Sequence, residues 1–293
     1  MDAGFGDQPK PLHPVAWLGH AVRILEVCAP SRRPWRRRYG LAVAGLVPCF
    51  VALATARLAH GGPLRRFAAE VAALDTAFAL RTLLGRANEV RDMLDAGDLD
   101  GARRLLGAHL VSRDTGDLTP GEVAGAAIES VAENLSDGVI GPWMAYVVGG
   151  APGALAYRTI NTLDSMWGYR TSRYADLGFG AARLDDRANI LPARVTAAAI
   201  CAAAATTGHD ARAALGTWTR DAGATDSPNA GHPMSAMAGA LGVTLTKRDA
   251  YRLGDGHEPD ADDIGAAIVL ARRASLIAGA LLWIILLTFE DRS

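Results

Sequence analysis

Gly138-Val-Ile-Gly141-Pro142-Trp143-Met-Ala-Tyr-Val-Val-Gly149-Gly150-Ala-Pro152-Gly153-Ala-Leu-Ala-Tyr157 runs without a charge between Asp137 and Arg158. A stretch of about 20 apolar residues is long enough to cross a bilayer as one helix. This one carries Pro142 early and Gly149-Gly150-Ala-Pro152-Gly153 in its middle, and such a cluster breaks a helix. Two half-helices joined at that point would enter and leave on the same side, which is tolerated at membrane depth when protein covers the turn. The polar stretches flanking it, 129–137 and 158–169, would then face each other, whereas a straight span would hold them apart. The spacing therefore predicts a re-entrant hairpin over 138–157. The same reasoning predicts a helical hairpin over 195–221, turned at Thr206-Thr207-Gly208-His209.

Outward from there, residues 39–56 lack a charge between Arg38 and Arg57, and residues 274–289 lack one between Arg273 and Glu290. Both read as membrane spans, slightly short of the usual length; buried helices of a soluble protein are the alternative. Half of the 293 residues are hydrophobic and 21% are charged. That is apolar for a soluble enzyme and charged for a wholly embedded bundle. Arg32, Arg33, Arg36, Arg37 and Arg38 precede the first span and mark its flank as cytoplasmic by the positive-inside rule, or else form a solvated basic loop. The expected fold is all-α: a polytopic membrane helical bundle with re-entrant or broken helices and polar helical loops on one side. Residues 1–293 read as a single membrane-associated domain.

Residues 66–106 read as charged and helical, with Asp98 opening a short amphipathic helix. Thr119 and Glu122 have the spacing of a capping box, and Asp262 or Asp263 is the expected N-cap of the last helix. No region shows the alternation of strands. The net charge of −1 gives no electrostatic case for nucleic acid. Cys28, Cys49 and Cys201 are spaced for neither a metal site nor a disulfide framework, so buried reduced thiols are expected. The polar first residues, with Asp2, Asp7 and Lys10, do not form a cleavable signal peptide.

The chemistry lies in polar clusters set against these apolar runs, because buried carboxylates and amides are costly unless paired or used. Glu129, Glu133 and Asp137 recur at i, i+4 and i+8, with Asn134 between them, and three acids on one helix face repel unless a cation joins them. Mg²⁺ with substrate phosphates suits that set; a solvated acidic stripe is the alternative. Arg158, Asn161 and Ser165 recur at i, i+3 and i+7, beside Asp164. Arg offers a fork for phosphate or carboxylate, Asn can orient a substrate amide, and Asp164 is a further metal ligand or base; a surface helix with local ion pairs is the alternative. Asp185 shares a face with Asn189, and Asp186 adjoins it; a helix N-cap reading competes there. Ser227-Pro-Asn229-Ala-Gly231-His232-Pro233 reads as a turn before a helix whose N–H groups could bind an anion, with His232 a phosphate donor or proton carrier. His13 is a weaker candidate, as are Arg113 and Asp114 ahead of the acidic helix. Phosphate-binding lysine loops, H-E-x-x-H, paired C-x-x-C and G-x-S-x-G are all absent, so any phosphate chemistry must use Arg, metal and backbone N–H.

Taken together, Glu129 to Gly138, Gly149 to Met166, Leu184-Asp185-Asp186 with Pro192-Ala193-Arg194, and Ser227 to Pro233 closely resemble the cobinamide (adenosylcobinamide-phosphate) synthase family of cobalamin-biosynthesis membrane proteins. Gly6-Asp7-Gln8-Pro9, His13-Pro14-Val15 and Gly19 extend the resemblance, which runs along nearly the whole chain. His232 stands where relatives often carry an aromatic or other residue.

The resemblance implies a ligase of the bacterial cytoplasmic (inner) membrane. It would join a propionate of (adenosyl)cobyric acid to aminopropanol or its phosphate, driven by ATP with Mg²⁺ through an acyl phosphate. On that reading Glu129, Glu133, Asp137 and Asp164 hold the metal and nucleotide phosphates, with Glu133, Asp137 and Asp164 as metal ligands. Arg158 and Arg113 neutralise the phosphoryl group, and the Asn229–Gly231 turn binds the amino-alcohol phosphate. Trp143, Trp167 and Tyr169 cover the corrin. Other late cobalamin-pathway enzymes and a second copy of the chain are admitted as partners. A corrinoid-binding scaffold that presents substrate to a separate ligase is the alternative; a transporter is disfavoured because the polar clusters sit at loop ends.

Overall fold

The computed structural model describes residues 14–77 and 80–290. In chain order it forms α1 (Pro14–Val27), α2 (Arg33–Ala59), α3 (Pro63–Ala77), α4 (Leu80–Asp95), α5 (Leu99–His109) and α6 (Pro120–Leu135). A π-helical turn (Ser136–Ile140) precedes α7 (Gly141–Trp167), followed by α8 (Phe179–Ala188), α9 (Ile190–Thr207), α10 (Ala211–Asp221) and α11 (Gly231–Leu241). Strands β1 (Leu245–Lys247) and β2 (Tyr251–Leu253) lead into α12 (Ala261–Glu290). Contacts gather the chain into two compact units: Met1–Ala79 with Gly141–Asn189, and Leu80–Ile140 with Ile190–Ser293.

In the first unit, Pro34 occupies the opening turn of α2, where a missing N–H costs nothing. Gly40, Val43, Ala44, Pro48 and Thr55 are buried along one side of α2, while Leu46, Phe50 and Leu53 stand more than half exposed on the other. Val43 and Ala44 join Val22, Leu163, Trp167, Leu177 and Ala181 in one core; Ala69, Ala73, Ala151 and Ala154 form another. α7 is broken where the sequence placed the break. Gly149 has φ −133° and ψ 15°, and Gly150 has φ 58° and ψ −154°, a region open to glycine alone. A Cβ on Gly153 would collide with the carbonyl oxygen of Ala145. Residues eight apart in a straight helix lie about 12 Å apart, so that contact requires the chain to double back. Tyr146 Oη, on the first arm, donates to Glu70 of α3 at 2.5 Å.

In the second unit, every residue of α6 from Val123 to Ala132 is buried, as expected of a helix with no water-facing side. It is packed by α4, α5, α11 and α12. Thr119 and Glu122 close their capping box at 3.2 and 2.8 Å. Asp98 caps α5 through the N–H of Gly101 at 2.8 Å. α9 and α10 form a packed pair joined at Gly208–Asp210, with Asp210 accepting from the N–H groups of Arg212 and Ala213 at 2.9 Å.

The sequence reading differs from the structure at three points here. Asp260, not Asp262 or Asp263, caps α12: it accepts from Asp263 N at 3.1 Å, and Asp263 accepts from Asp260 N at 3.0 Å. Second, β1 and β2 pair antiparallel, Leu245 with Leu253 and Lys247 with Tyr251. Strands of three residues are too short to show an alternating pattern. Third, the cysteines are free as expected, but Cys28 and Cys49 are exposed and Cys201 is half-buried. Cys49 lies beside Phe50 on the apolar exposed side of α2.

Among the described residues, four helical stretches are long and apolar enough to cross a membrane: Arg33–Ala59, Pro120–Trp167, Ile190–Thr207 and Ala261–Thr288. Leu276, Leu281, Trp283 and Ile284 of α12 are each more than half exposed. Apolar side chains turned outward in this density belong against lipid. The protein is an all-α, multi-pass membrane protein.

Candidate functional site

In the second unit the site is built on α6. Glu129 is 5% exposed, and its Oε2 accepts from Arg113 Nη2 at 3.2 Å. Glu129 Oε1 and Arg113 Nε are buried without a hydrogen-bond partner. Glu133, Lys247 and Tyr251 lie within electrostatic reach of this pair. Burial, and then the Glu129 carboxylate, hold the Tyr251 phenol far above its usual range, so it stays protonated. Lys247 and Tyr251 are additions that sequence reasoning missed. Only strand register brings them to α6, and neither sits in a recognisable motif.

Glu129 and Glu133 keep their one-turn spacing, but Asp137 falls in the π-helical turn, so the even acidic stripe ends at Leu135. π-turns within helices recur at functional sites, and Asp137 is half-buried there. Asn134 donates to Ser130 O at 2.9 Å and Ser130 Oγ at 3.2 Å. Asp114 accepts from Gly116 N at 3.0 Å and shapes the loop that presents Arg113.

The 227–233 segment also belongs to this unit. Ser227 Oγ accepts from the N–H groups of Asn229 and Ala230 at 3.2 Å, fixing the turn. Asn229 is buried, its Oδ1 3.5 Å from Arg194 Nη1. Gly231 opens α11 against the Ala222 carbonyl. His232 Nδ1 is 2.8 Å from Trp218 Nε1, which can only donate. Burial and Arg194 lower the His232 pKa, so the ring is a neutral acceptor holding α10 to α11.

In the first unit α7 and α8 bring together Asn161, Asp164, Asp185 and Asp186. Tyr157 donates to Asn189 Oδ1, and Asn189 Nδ2 donates to Asp185 Oδ2 at 2.9 Å. Asp185 Oδ1 is buried and accepts nothing. Burial, and then the Asp164 charge, raise the Asp185 pKa well above the carboxylate range. The capping alternative for these acids fails. Asp185 and Asp186 lie near the end of α8, where the helix dipole disfavours negative charge.

Arg158 Nη1 is 3.4 Å from Asn161 Oδ1. Ser165 Oγ donates to Thr162 O at 3.1 Å. Tyr169 is exposed, its ring 6.1 Å from that of Tyr174. Trp167 is fully buried in the core and so is unavailable to cover a corrin ring. His13 lies outside the described residues.

Among the described residues, no three His, Cys, Asp or Glu side chains gather closely enough to ligate an ion by themselves. An ion at Glu133, Asp137 or Asp164 would depend on oxygens from a substrate. Mg²⁺ commonly binds that way, through one or two carboxylates plus phosphates. The open oxygen of Asp185 beside Asp164 fits such an ion.

Residues 1–278 match the family model described as CobD/Cbib protein. The chain is 41% identical over 298 residues to the "Cobalamin biosynthesis protein CobD" of Chromobacterium violaceum, covering 96% of this chain and 92% of the relative. It is 38% identical over 300 residues to the protein of that name from Mycobacterium tuberculosis, covering 100% and 94%. It is 38% identical over 258 residues to the "Probable cobalamin biosynthesis protein CobD" of Methanothermobacter thermautotrophicus, covering 87% and 84%. No solved structure matches the chain.

Proposed function

The chain belongs to the CobD/Cbib protein family of cobalamin biosynthesis, and on that premise we propose that it is an amide-forming ligase. It joins a propionate carboxylate of (adenosyl)cobyric acid to the amine of aminopropanol or its phosphate. ATP gives ADP and phosphate, and the propionate oxygen that is lost leaves on the phosphate. The observation that carries this reading is Asp185 of the first unit, a buried carboxylate beside Asp164 whose Oδ1 accepts no hydrogen bond.

Asp164 and Asp185 would hold nucleotide-bound Mg²⁺, which would supply charge neutralisation on the phosphates. Arg158, whose Nη1 lies 3.4 Å from Asn161 Oδ1, supplies positive charge for the phosphoryl group. In the second unit, Glu129 Oε1 is open to accept a substrate proton. Tyr251, held protonated, keeps its hydroxyl proton beside Glu129. The protein does this in the cytoplasmic membrane, with the basic flank at Arg32–Arg38 on the cytoplasmic side.

The test is turnover by the purified full chain in detergent, supplied with adenosylcobyric acid, aminopropanol or its phosphate, ATP and Mg²⁺. ADP and amide product in equal amounts are expected from the chain alone. Tight corrinoid binding without ADP release would favour a scaffold that hands substrate to another ligase. Asp137→Ala and Asp164→Ala should abolish product while the protein still inserts and folds; unchanged turnover would remove those residues from the site.

A further inference from the structure

A cavity of ≈ 740 Å³ opens in the first unit beside α1, the start of α2 and the end of α7. Its walls carry Arg23, Glu26, Arg36, Tyr169, Arg173 and Tyr174. Glu26 is the one carboxylate among the described wall residues, and it is taken. Its Oε1 accepts from Arg173 Nε and Nη2 at 3.0 and 2.7 Å. Arg36 donates to two backbone carbonyls, Pro30 O and Arg173 O, at 3.3 Å each. Those bonds hold the guanidinium at the wall without balancing its charge. Arg23 is exposed and, among the described residues, forms no ion pair. Two positive charges therefore stand unmatched around one cavity. The acid cluster on α7 lies on another face. Adjacent helical residues point about 100° apart, so Ser165 joins this wall while Asp164 turns toward Asp185 of α8.

We infer that this cavity seats the headgroup of an anionic phospholipid of the phosphatidylglycerol type. The phosphate diester sits between Arg23 and Arg36, because guanidinium groups recognise phosphate oxygens through paired N–H donors. The headgroup hydroxyls meet the exposed Tyr169 phenol. The place suits a lipid better than a soluble anion. Arg36 stands in the opening turns of α2, a helix long and apolar enough to cross a membrane. Leu46 and Phe50 are exposed about 15 and 21 Å further along it, where acyl chains from that headgroup would lie. Trp17 and Trp35 are 59% and 57% exposed, and tryptophan is the residue type that settles at headgroup level. Ile24 and Val27 are exposed on α1 beside Arg23. Basic pockets between membrane helices on the cytoplasmic side hold anionic headgroups in this manner. The inference goes beyond the ligase reading and does not depend on it.

The experiment is equilibrium binding of labelled phosphatidylglycerol to the full chain in micelles of an uncharged detergent. Phosphatidylcholine with the same acyl chains is the neutral comparison, and glycerol 3-phosphate, ATP and adenosylcobyric acid are separate soluble competitors. The unaltered chain is expected to prefer phosphatidylglycerol at least tenfold. Arg23→Gln, which removes no internal ion pair and so spares the fold, is expected to weaken that lipid about fivefold. Arg23→Gln with Arg36→Gln is expected to weaken it more than tenfold and to leave phosphatidylcholine binding unchanged. Arg32→Gln with Arg38→Gln, outside the cavity, is expected to cost less than about twofold, since exposed charges are screened. Equal binding of the two lipids, or binding that Arg23→Gln leaves unchanged, overturns the site. An equal loss from the Arg32 and Arg38 pair overturns it in favour of diffuse surface charge. Displacement of the lipid by a soluble competitor at matched concentration overturns it in favour of a free phosphate or a substrate.

Discussion

Replacing Arg113 with alanine tests the buried ion pair at the centre of the site. The pair is 3.2 Å apart, with Arg113 24% exposed and Glu129 7% exposed at the side chain. At an effective dielectric of about 20, that separation corresponds to an attraction of about 5 kcal/mol. Desolvation offsets much of this in the intact pair. Removing one partner, however, leaves Glu129 buried and uncompensated, at a cost of about 3–5 kcal/mol. Arg113→Ala should therefore lower the unfolding midpoint in detergent by on the order of 10 °C. Arg113→Met with Glu129→Leu removes both charges and keeps the volume, so the double variant should recover most of the loss. Both would be measured by thermal unfolding in one detergent at fixed protein concentration. An Arg113→Ala protein within about 1 kcal/mol of the unaltered chain, below the range for breaking a buried pair, would refute the reasoning, because Glu129 would then have access to water or another partner.

Two further outcomes follow from the first unit. Gly150→Ala places a Cβ in a backbone region that only glycine enters, and should cost about 1–3 kcal/mol in the same assay; Gly149→Ala, at φ −133°, should cost less. Asp185 binds its proton more tightly folded than unfolded, so its contribution to stability is full below the ordinary carboxylate range and lost as pH rises through the raised folded value. Asp185→Asn should flatten the fall in unfolding midpoint between about pH 4 and neutrality. Parallel pH profiles for the two proteins would count against a buried, strained carboxylate.

Much of the architecture was legible because its signals are local. The run at 138–157 shows where a helix must break, and the break falls at Gly149-Gly150. The Thr119–Glu122 capping box needs residues only three apart. The last helix was harder to delimit: Asp260, Asp262 and Asp263 are chemically equivalent caps in sequence, and only the backbone geometry selects Asp260. The strands escaped notice because pairing across a short turn, not composition, creates them. Trp167 shows a different limit. The family resemblance implies a cover for the corrin there, but the helix face turns Trp167 into the core.

The sequence by itself determined that polar groups had to be kept among apolar helices, that one long helix had to break, and which family the chain resembles. Helical period, charge-free length and Gly-Pro punctuation all act within a few residues. Only the tertiary structure decided which acids end up with an open oxygen, and that Lys247 and Tyr251 join Arg113 and Glu129 more than 100 positions away. Burial and electrostatic reach depend on elements far apart in the chain, so no local pattern encodes them.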